Sequence, residues 1–211
     1  MNFDWVAPHY RRLETLVFGR QLQAARCAFV RQITAPRRAL IVGEGDGRFL
    51  EQLRRAQPEL QIECMDASAK MLALARVRVG ENGVRYIRAD LREVEFPLNR
   101  YDLVVTHFVL DCFEETDLRN VVGKLAASAT DDATWLVADF HVPPRGWRRW
   151  WARLLIATMY FFFRLVAGLE ARRLVDYTPL LQAHGFSLTS ERLSPNELLR
   201  SQRWERKARP V

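Results

Sequence analysis

Three glycines and one acid stand where a nucleotide-like ligand would meet the end of a buried strand. Gly43, Gly45 and Gly47 follow the apolar run 39–42. Asp66 comes about 20 residues later, at the end of a second strand-like run. Glycines in such a turn let the backbone approach a ligand. A carboxylate at the end of the second strand accepts hydrogen bonds from ribose hydroxyls. An acid there could also cap the next helix, but together these residues predict a site for an adenosine-type ligand.

Two carboxylates inside the glycine loop indicate which adenosine-type ligand it is. Glu44 and Asp46 alternate with the glycines. A dinucleotide places its pyrophosphate at the start of the following helix, where these carboxylates would repel it. S-adenosylmethionine carries no phosphate, and its ammonium and sulfonium groups are cationic. The loop therefore favours S-adenosylmethionine over a nicotinamide dinucleotide.

Methyl transfer from that donor is an in-line displacement, so the site must align the reactants and exclude water. A phenol, enol or alcohol acceptor also needs a general base, whereas an amine needs only to be neutral. Candidate bases stand at the ends of two strand-like runs. His107 lies at the end of 101–108 and Asp111 follows it, and Asp139 and His141 lie at the end of 134–141. His141 is the first choice and Asp111 the second. Each of them could instead be a capping acid or a histidine bonded to a backbone carbonyl.

Strand-like and helix-like segments alternate along the chain, as they must if these residues are to meet. Apolar, strand-like runs occupy 39–42, 60–66, 84–90, 101–108 and 134–141, and the chain closes with a hairpin over 186–193 and 197–206. Residues 8–33 have helical periodicity. The pattern predicts an α/β fold with a Rossmann-like, seven-stranded, mostly parallel sheet, helices on both faces and an antiparallel last strand. Ligands bind such sheets at the carboxyl ends of the strands.

Several stretches carry a family resemblance: ALIVGEGDGRFL, IECMDASAKMLALAR, IRADL and YDLVVTHFVLDCF. They resemble the motifs of class I S-adenosylmethionine-dependent methyltransferases. The N-terminal FDWVAPHY is similar to the start of the ubiquinone/menaquinone biosynthesis C-methyltransferases and their small-molecule relatives. The resemblance covers roughly residues 3–141. It implies S-adenosylmethionine as cofactor and methyl transfer to a small acceptor.

The resemblance also implies roles for individual residues. The glycines would pass the methionine and ribose of the donor, Asp66 would hold the ribose, Asp90 would face the adenine amino group, and Thr106 would lie near the methionyl part. Tyr10 would cover the donor. The implied cofactor-binding residues are Tyr10, Gly43, Glu44, Gly45, Gly47, Asp66, Ala67, Ser68, Met71, Asp90, Leu91 and Thr106.

The sequence departs from the family's pattern at two places. Ile41 stands where the family usually has an acid, and Glu44 is expected to take over its role near the donor's ammonium group. Asp111 replaces a histidine that is often found in the family. The length and the absence of a Gly/Ser-rich linker predict one domain, 1–211. It comprises an N-terminal helical lid (1–35), a cofactor-binding core (36–142), an aromatic and Arg-rich helical insertion (143–175), and a C-terminal helix with a strand hairpin (176–211).

Most of the positive charge lies in one segment. The net charge is +7, and the stretch 145–173 contains seven arginines and a single acid, Glu170. Arg153 and Arg164 interrupt its apolar run, so a bilayer-spanning helix is not expected. The segment is predicted either to lie on an anionic membrane or to be a core helix with arginines at its wet edges. In a lid, its aromatic residues would suit a lipophilic acceptor.

Composition and cysteine spacing narrow the classes further. Apolar residues make up 49% and charged residues 27%, which is ordinary for a globular protein. The three cysteines form no CxxC pair, so neither a metal site nor a disulfide framework is predicted, and no signal peptide is indicated. We expect a cytoplasmic protein, with membrane association left open, that acts on a small molecule as a monomer or homodimer and binds no nucleic acid. The alternatives are a non-catalytic S-adenosylmethionine-binding protein, an NAD-dependent oxidoreductase and a nucleic-acid methyltransferase.

Overall fold

The structure, a computed structural model, describes residues 20–167 and 174–206. Within that part of the chain one seven-stranded sheet forms the centre, in the order β3-β2-β1-β4-β5-β7-β6. The strands are β1 Arg38–Val42, β2 Gln61–Asp66, β3 Val84–Arg88, β4 Tyr101–His107, β5 Ala129–Phe140, β6 Phe186–Leu193 and β7 Leu199–Arg206. The helices are α1 Gln21–Arg26, α2 Arg48–Ala56, α3 Ala69–Val79, α4 Glu115–Ser128, α5 Trp147–Ala167 and α6 Thr178–Ala183, with short 3₁₀ turns at Val30–Gln32 and Leu110–Cys112.

The strand directions confirm the predicted fold. β1 pairs in parallel with β2 on one side and β4 on the other, and β5 continues the parallel sheet beyond β4. β7 runs antiparallel between β5 and β6. The strand order reverses at β1, so the carboxyl ends of β1 and β4 flank the switch point where ligands bind in such sheets. The loop that begins at Gly43 and the segment that follows His107 both start there.

Alternating side chains of the strands build two hydrophobic layers. Leu40, Val104 and Trp135 point to the layer that α4 and α6 cover. The intervening residues, such as Ile41 and Val105, point to the layer that α2 and α3 cover. These side chains are almost entirely buried, so the central strands are apolar on both faces, as a covered parallel sheet requires.

The N-terminal helix is shorter than the predicted 8–33 wherever the structure describes it. α1 ends at Arg26, and only a 3₁₀ turn follows at Val30–Gln32. Val30, Ile33 and Thr34 are β-branched, which weakens helix propensity in this stretch. Ser201 Oγ donates to the carbonyl of Ala25 at 2.8 Å, so α1 is tied to the sheet through β7.

α5 lies between β5 and α6, where the Arg-rich insertion was predicted. One side of it is packed: Ala152 and Ile156 are buried, and Ile156 contacts Phe140 and Val142. None of the helices in residues 20–167 and 174–206 is long and apolar enough to cross a bilayer.

Candidate active site

The glycine loop is shaped by close packing at two glycines and by open space at a third. A Cβ atom at Gly43 would overlap Val109 Cγ2, and one at Gly47 would lie 2.7 Å from Ala75 Cα, so side chains are excluded at both. Gly45 also has a positive φ of +72°, but a Cβ atom there would meet nothing within 4 Å. The backbone at Gly45 therefore faces space that a ligand can fill.

Asp66 joins this loop to the end of β2. Its Oδ2 accepts the backbone N–H of Gly45 at 3.1 Å, and its Oδ1 accepts that of Ser68 at 2.9 Å. Ser68 Oγ in turn accepts the backbone N–H of Met71 at 3.2 Å and so forms the N-cap of α3. The carboxylate thus has both the predicted place beside the glycines and a structural function. Ala67 lies between the two residues of this contact, at the start of the turn into α3.

Glu44 holds the start of α2. Its Oε1 accepts the backbone N–H of Leu50 at 2.9 Å, and the side chain is 5% exposed. Burial raises the pKa of this carboxyl to about 7, although the bond to Leu50 and the charge of Arg26 oppose the shift. The contact satisfies an N–H group that the first turn of a helix leaves unpaired. The role implied for Glu44 at the donor's ammonium group stays a prediction.

The remaining predicted donor contacts are spread along the same edge of the sheet. Asp90 follows β3, and its carboxylate accepts bonds from the Arg92 guanidinium at 2.7 and 3.0 Å, which lower its pKa. Leu91, the next residue, and Met71, on α3, are both buried. Thr106 is fully buried, and its Oγ1 accepts the indole N–H of Trp135 at 2.9 Å. Tyr10 lies outside the described residues.

Two buried carboxyl groups, Asp111 and Asp139, form the most unusual part of the site. Asp111 lies in the 3₁₀ turn after β4, and Asp139 lies at the end of β5; they are 5% and 1% exposed. Burial raises the pKa of Asp111 to about 6. Burial, together with the charge of Asp111, raises the pKa of Asp139 well above its ordinary value. Because two such groups cannot both ionise cheaply in an apolar region, the pair retains a proton near neutral pH.

The pair has hydrogen-bonding capacity to spare. Asp139 Oδ1 accepts the backbone N–H of Phe140 at 2.8 Å, while Oδ2 has no partner among the described residues. Cys112 Sγ lies 3.6 Å from Asp111 Oδ1, and the charges of both acids and of Asp66 act on this thiol. The pair and Asp66 therefore all lie near the Cys112 thiol. Val109, which packs on Gly43, connects the two parts.

The two candidate histidines have different surroundings. The ring of His107 packs edge-on against Phe49, with ring centres 4.5 Å apart, on the α2 side of the sheet. Burial and the nearby Arg26 lower the pKa of His107 to about 3, so its ring is neutral at pH 7. His141 is half-buried, and its Nδ1 lies 2.8 Å from the carbonyl oxygen of Glu197, to which it donates when the ring is neutral. That bond leaves Nε2 as the acceptor nitrogen.

The fold adds polar residues that the sequence did not indicate. Tyr177 donates its hydroxyl to Gln202 Oε1 at 3.0 Å, and the Trp204 indole donates to the same oxygen at 3.1 Å. Arg200 stacks on the Tyr177 ring, 5.5 Å from its centre, and its charge reaches Asp139. These residues come from the N-cap of α6 and from β7, so no local pattern could have joined them to a site built on β4 and β5.

This arrangement defines a class of protein. A seven-stranded sheet with an antiparallel β7, a glycine loop after β1 and an acid at the end of β2 fits S-adenosylmethionine. The space at Gly45 and the position of Asp66 are the observations that show the fit. Residues 39–132 match the family described as "Methyltransferase domain". The chain belongs to the class I S-adenosylmethionine-dependent methyltransferases, and the predictions of this family, of its fold and of its methyl donor are confirmed.

Particular relatives agree with this assignment. A demethylmenaquinone methyltransferase of Thermus thermophilus is 30% identical over 148 residues, which span 68% of this chain and 66% of the relative. An S-adenosylmethionine-dependent methyltransferase from Mesorhizobium loti superposes with a TM-score of 0.66 at 19% identity, covering 88% of this chain and all of the other. A 1,6-didemethyltoxoflavin-N1-methyltransferase from Burkholderia thailandensis, solved with that compound and S-adenosylhomocysteine, has a TM-score of 0.69 at 15% identity, covering 97% and 86%. The two solved structures share the fold.

Proposed function

We propose that the protein methylates a small, apolar or aromatic acceptor that loses a proton in the reaction, with Asp111 as the general base. The observation that carries this proposal is the buried pair Asp111 and Asp139, with an unpartnered oxygen on Asp139. A buried polar atom without a partner is costly, and a hydroxyl of an acceptor would satisfy it. The pair lies at the carboxyl edge of the sheet, beside the residues that fit the donor.

The donor supplies a methyl group on a cationic sulfur, which leaves as a neutral thioether when a nucleophile displaces it. The chain's own residues do the rest. Asp66 and the loop at Gly45 fix the donor's position. Asp139 retains the proton of the pair, and ionised Asp111 takes up the proton that a phenol or enol acceptor releases. A general base of this kind accelerates a reaction by a factor of about 10²–10⁴.

The class of acceptor follows from the surroundings of the pair. Phe140, Val142 and Ile156 form an apolar cluster with Cys112, beside both acids. Apolar walls with a few placed polar groups are typical of sites for small organic ligands. The name of the Thermus relative identifies demethylmenaquinone as that protein's acceptor. A reduced demethylmenaquinone-type quinone, whose ring hydroxyl is acidic, is therefore the first acceptor to test, and phenols come next. We place this activity in the cytoplasm and expect no nucleic-acid substrate.

The test begins with donor binding. Calorimetric titration with S-adenosylmethionine and S-adenosylhomocysteine should give binding, and NADH, as the control for an oxidoreductase, should give none. Transfer of a radiolabelled methyl group to short-chain quinols and phenols then measures turnover. Donor binding without turnover on any of these acceptors would favour the non-catalytic alternative and overturn the proposal.

Matched amide variants assign the base. We expect Asp111→Asn to lower the turnover rate by about 100-fold or more with S-adenosylhomocysteine affinity unchanged. Asp139→Asn replaces a protonated carboxyl by a neutral amide of the same shape, so it should retain most of the activity. In the wild type the rate should rise as the pH rises through about 6, where Asp111 ionises. His141→Gln tests the first choice of the sequence analysis, and a large loss there with a mild effect at Asp111 would refute our assignment.

A further inference from the structure

α5 carries an exposed apolar face directly opposite its packed face. Trp147, Trp150, Trp151 and Leu154 are 70%, 72%, 64% and 61% exposed. Their spacing of three and four residues places them on one side of the helix. Isolated exposed apolar residues are ordinary, but a contiguous group with three tryptophans marks a surface that binds something. We call these four residues the tryptophan face.

Exposed arginines border the tryptophan face. By helical rotation, Arg149 and Arg153 lie between this face and the packed side formed by Ala152 and Ile156, and both arginines are exposed. No acid occurs between Asp139 and Glu170 in the sequence. The surface thus combines amphipathic aromatic rings with positive charge in a segment that contains no acid before Glu170, the combination that favours an anionic lipid interface.

The position of Arg149 is not explained by the stability of the helix. Arg149 falls in the first turn of α5, and that turn contains no acid. The positive end of the helix dipole lies there, so cations in the first turn cost stability and acids would improve it. A positive charge that is unfavourable beside the helix dipole is better explained by binding of an external anion than by a contribution to folding.

We infer that the tryptophan face and its arginines dock the protein on the surface of an anionic lipid membrane. A second copy of the chain is a poorer occupant, because a two-fold contact through this face would bring Arg149 and Arg153 of both copies together. A bilayer surface instead offers headgroup phosphates to the arginines and an interfacial layer to the tryptophans. The helix would lie on the membrane without crossing it.

The docked orientation would place the candidate active site next to the lipid. The packed side of α5 contacts Phe140 and Val142 through Ile156, and these residues adjoin Asp139 in the chain. A lipophilic acceptor could then pass from the bilayer along α5 to the buried acids. This second step rests on the proposed function, whereas the docking itself does not.

Vesicle binding by the full chain tests the docking. The probes are vesicles of phosphatidylglycerol mixed with phosphatidylcholine and vesicles of phosphatidylcholine alone, with binding measured by co-sedimentation. We expect binding to the anionic vesicles that weakens with added salt. Removing Arg149 and Arg153 as the double glutamine variant should weaken it about 30-fold, because each charge near the surface contributes about 1 kcal/mol. The double variant Trp150→Ser, Trp151→Ser should weaken it by about tenfold or more.

Two control variants match these changes elsewhere on the surface. Val77→Ser alters an apolar side chain that is 88% exposed on α3, and Arg119→Gln removes an arginine whose side chain is 65% exposed on α4. Both should bind vesicles like the wild type. Equal binding by all variants, absence of binding to anionic vesicles, or a dimer in sedimentation velocity that the tryptophan variant dissociates would each overturn the inference.

Turnover separates this inference from the proposed function. The tryptophan variant should methylate a short-chain acceptor in lipid-free buffer as fast as the wild type does, and it should lose activity on a long-chain acceptor held in vesicles. If the wild type binds vesicles but methylates neither acceptor, the proposed function fails and the docking stands. If both acceptors are methylated equally by wild type and variant, delivery along α5 is refuted.

Discussion

Replacement of Asp111 by asparagine should raise the stability of the protein while it removes activity. Burial raises the pKa of this carboxyl from its ordinary 3.8 to about 6 in the folded state. A raised carboxyl pKa means that the folded protein holds the proton more tightly than the unfolded chain does. Its contribution to stability is therefore full below pH 3.8 and is lost as the pH rises through about 6. The shift of about two pKa units corresponds to about 3 kcal/mol at neutral pH.

An asparagine has no ionisation to suppress, so the variant should not lose this free energy. Urea unfolding of both proteins at pH 5 and pH 8 measures the difference. Between pH 5 and pH 8 the wild type should lose about 1.4 kcal/mol of unfolding free energy that Asp111→Asn does not lose. This is less than the full value of about 3 kcal/mol because part of the loss in the wild type has already occurred by pH 5. Asp132→Asn, an exposed acid on β5, is the matched control and should show no such gain. A stability difference that is independent of pH would refute the reasoning. It would also refute the proposal that the ionisation of Asp111 costs stability and is retained for catalysis.

Four further changes test the donor site. Asp66→Ala removes the acceptor of two backbone N–H groups, at Gly45 and Ser68, so calorimetry should show S-adenosylhomocysteine affinity reduced about 100-fold while circular dichroism shows an intact fold. Gly47→Ala should destabilise the protein by about 2–4 kcal/mol because its Cβ meets the backbone of α3, whereas Gly45→Ala should cost about 1 kcal/mol and mainly weaken donor binding; equal unfolding midpoints would contradict this. Thr106→Val leaves the buried Trp135 N–H unpaired, so we expect a loss of about 1–3 kcal/mol in denaturant unfolding with donor affinity preserved, and weakened donor binding would show instead that the hydroxyl faces the ligand.

Much of the fold follows from the sequence because the strands are buried on both faces. An apolar run such as 39–42 has no polar side that could face solvent, so it predicts a strand covered on both faces. The glycines after this run mark where the strand must end. The topology then places Asp66 beside the loop, since β1 and β2 are parallel neighbours. The same argument brought Asp111 and Asp139 to one edge of the sheet.

The details of the site could not be predicted, because they depend on contacts between residues that are distant in the chain. The sequence shows that Glu44 lies in the loop, but only the fold shows that its carboxylate turns to the N–H of Leu50. The sequence shows a conspicuous His107, but only its burial against Phe49 makes the ring neutral. Tyr177 donates its hydroxyl to Gln202, which is 25 positions away along the chain.

Two of the buried acids of the site, Glu44 and Asp111, can be distinguished by their response to the same isosteric change. Glu44 and Asp111 are both buried, and burial raises the pKa of both. Glu44 has a structural partner, so a glutamine there keeps an oxygen for Leu50 and should retain donor affinity and turnover. Ionisation of either carboxyl costs stability, but the Glu44 carboxylate caps the start of α2 whereas Asp111 lies beside a second buried acid, Asp139. A carboxyl kept at Asp111 at such a cost is best explained by proton transfer. Glu44→Gln and Asp111→Asn, compared in one turnover assay, should therefore diverge by about 100-fold or more. Similar losses in both would mean that Glu44 also contacts the donor, as the family resemblance implies.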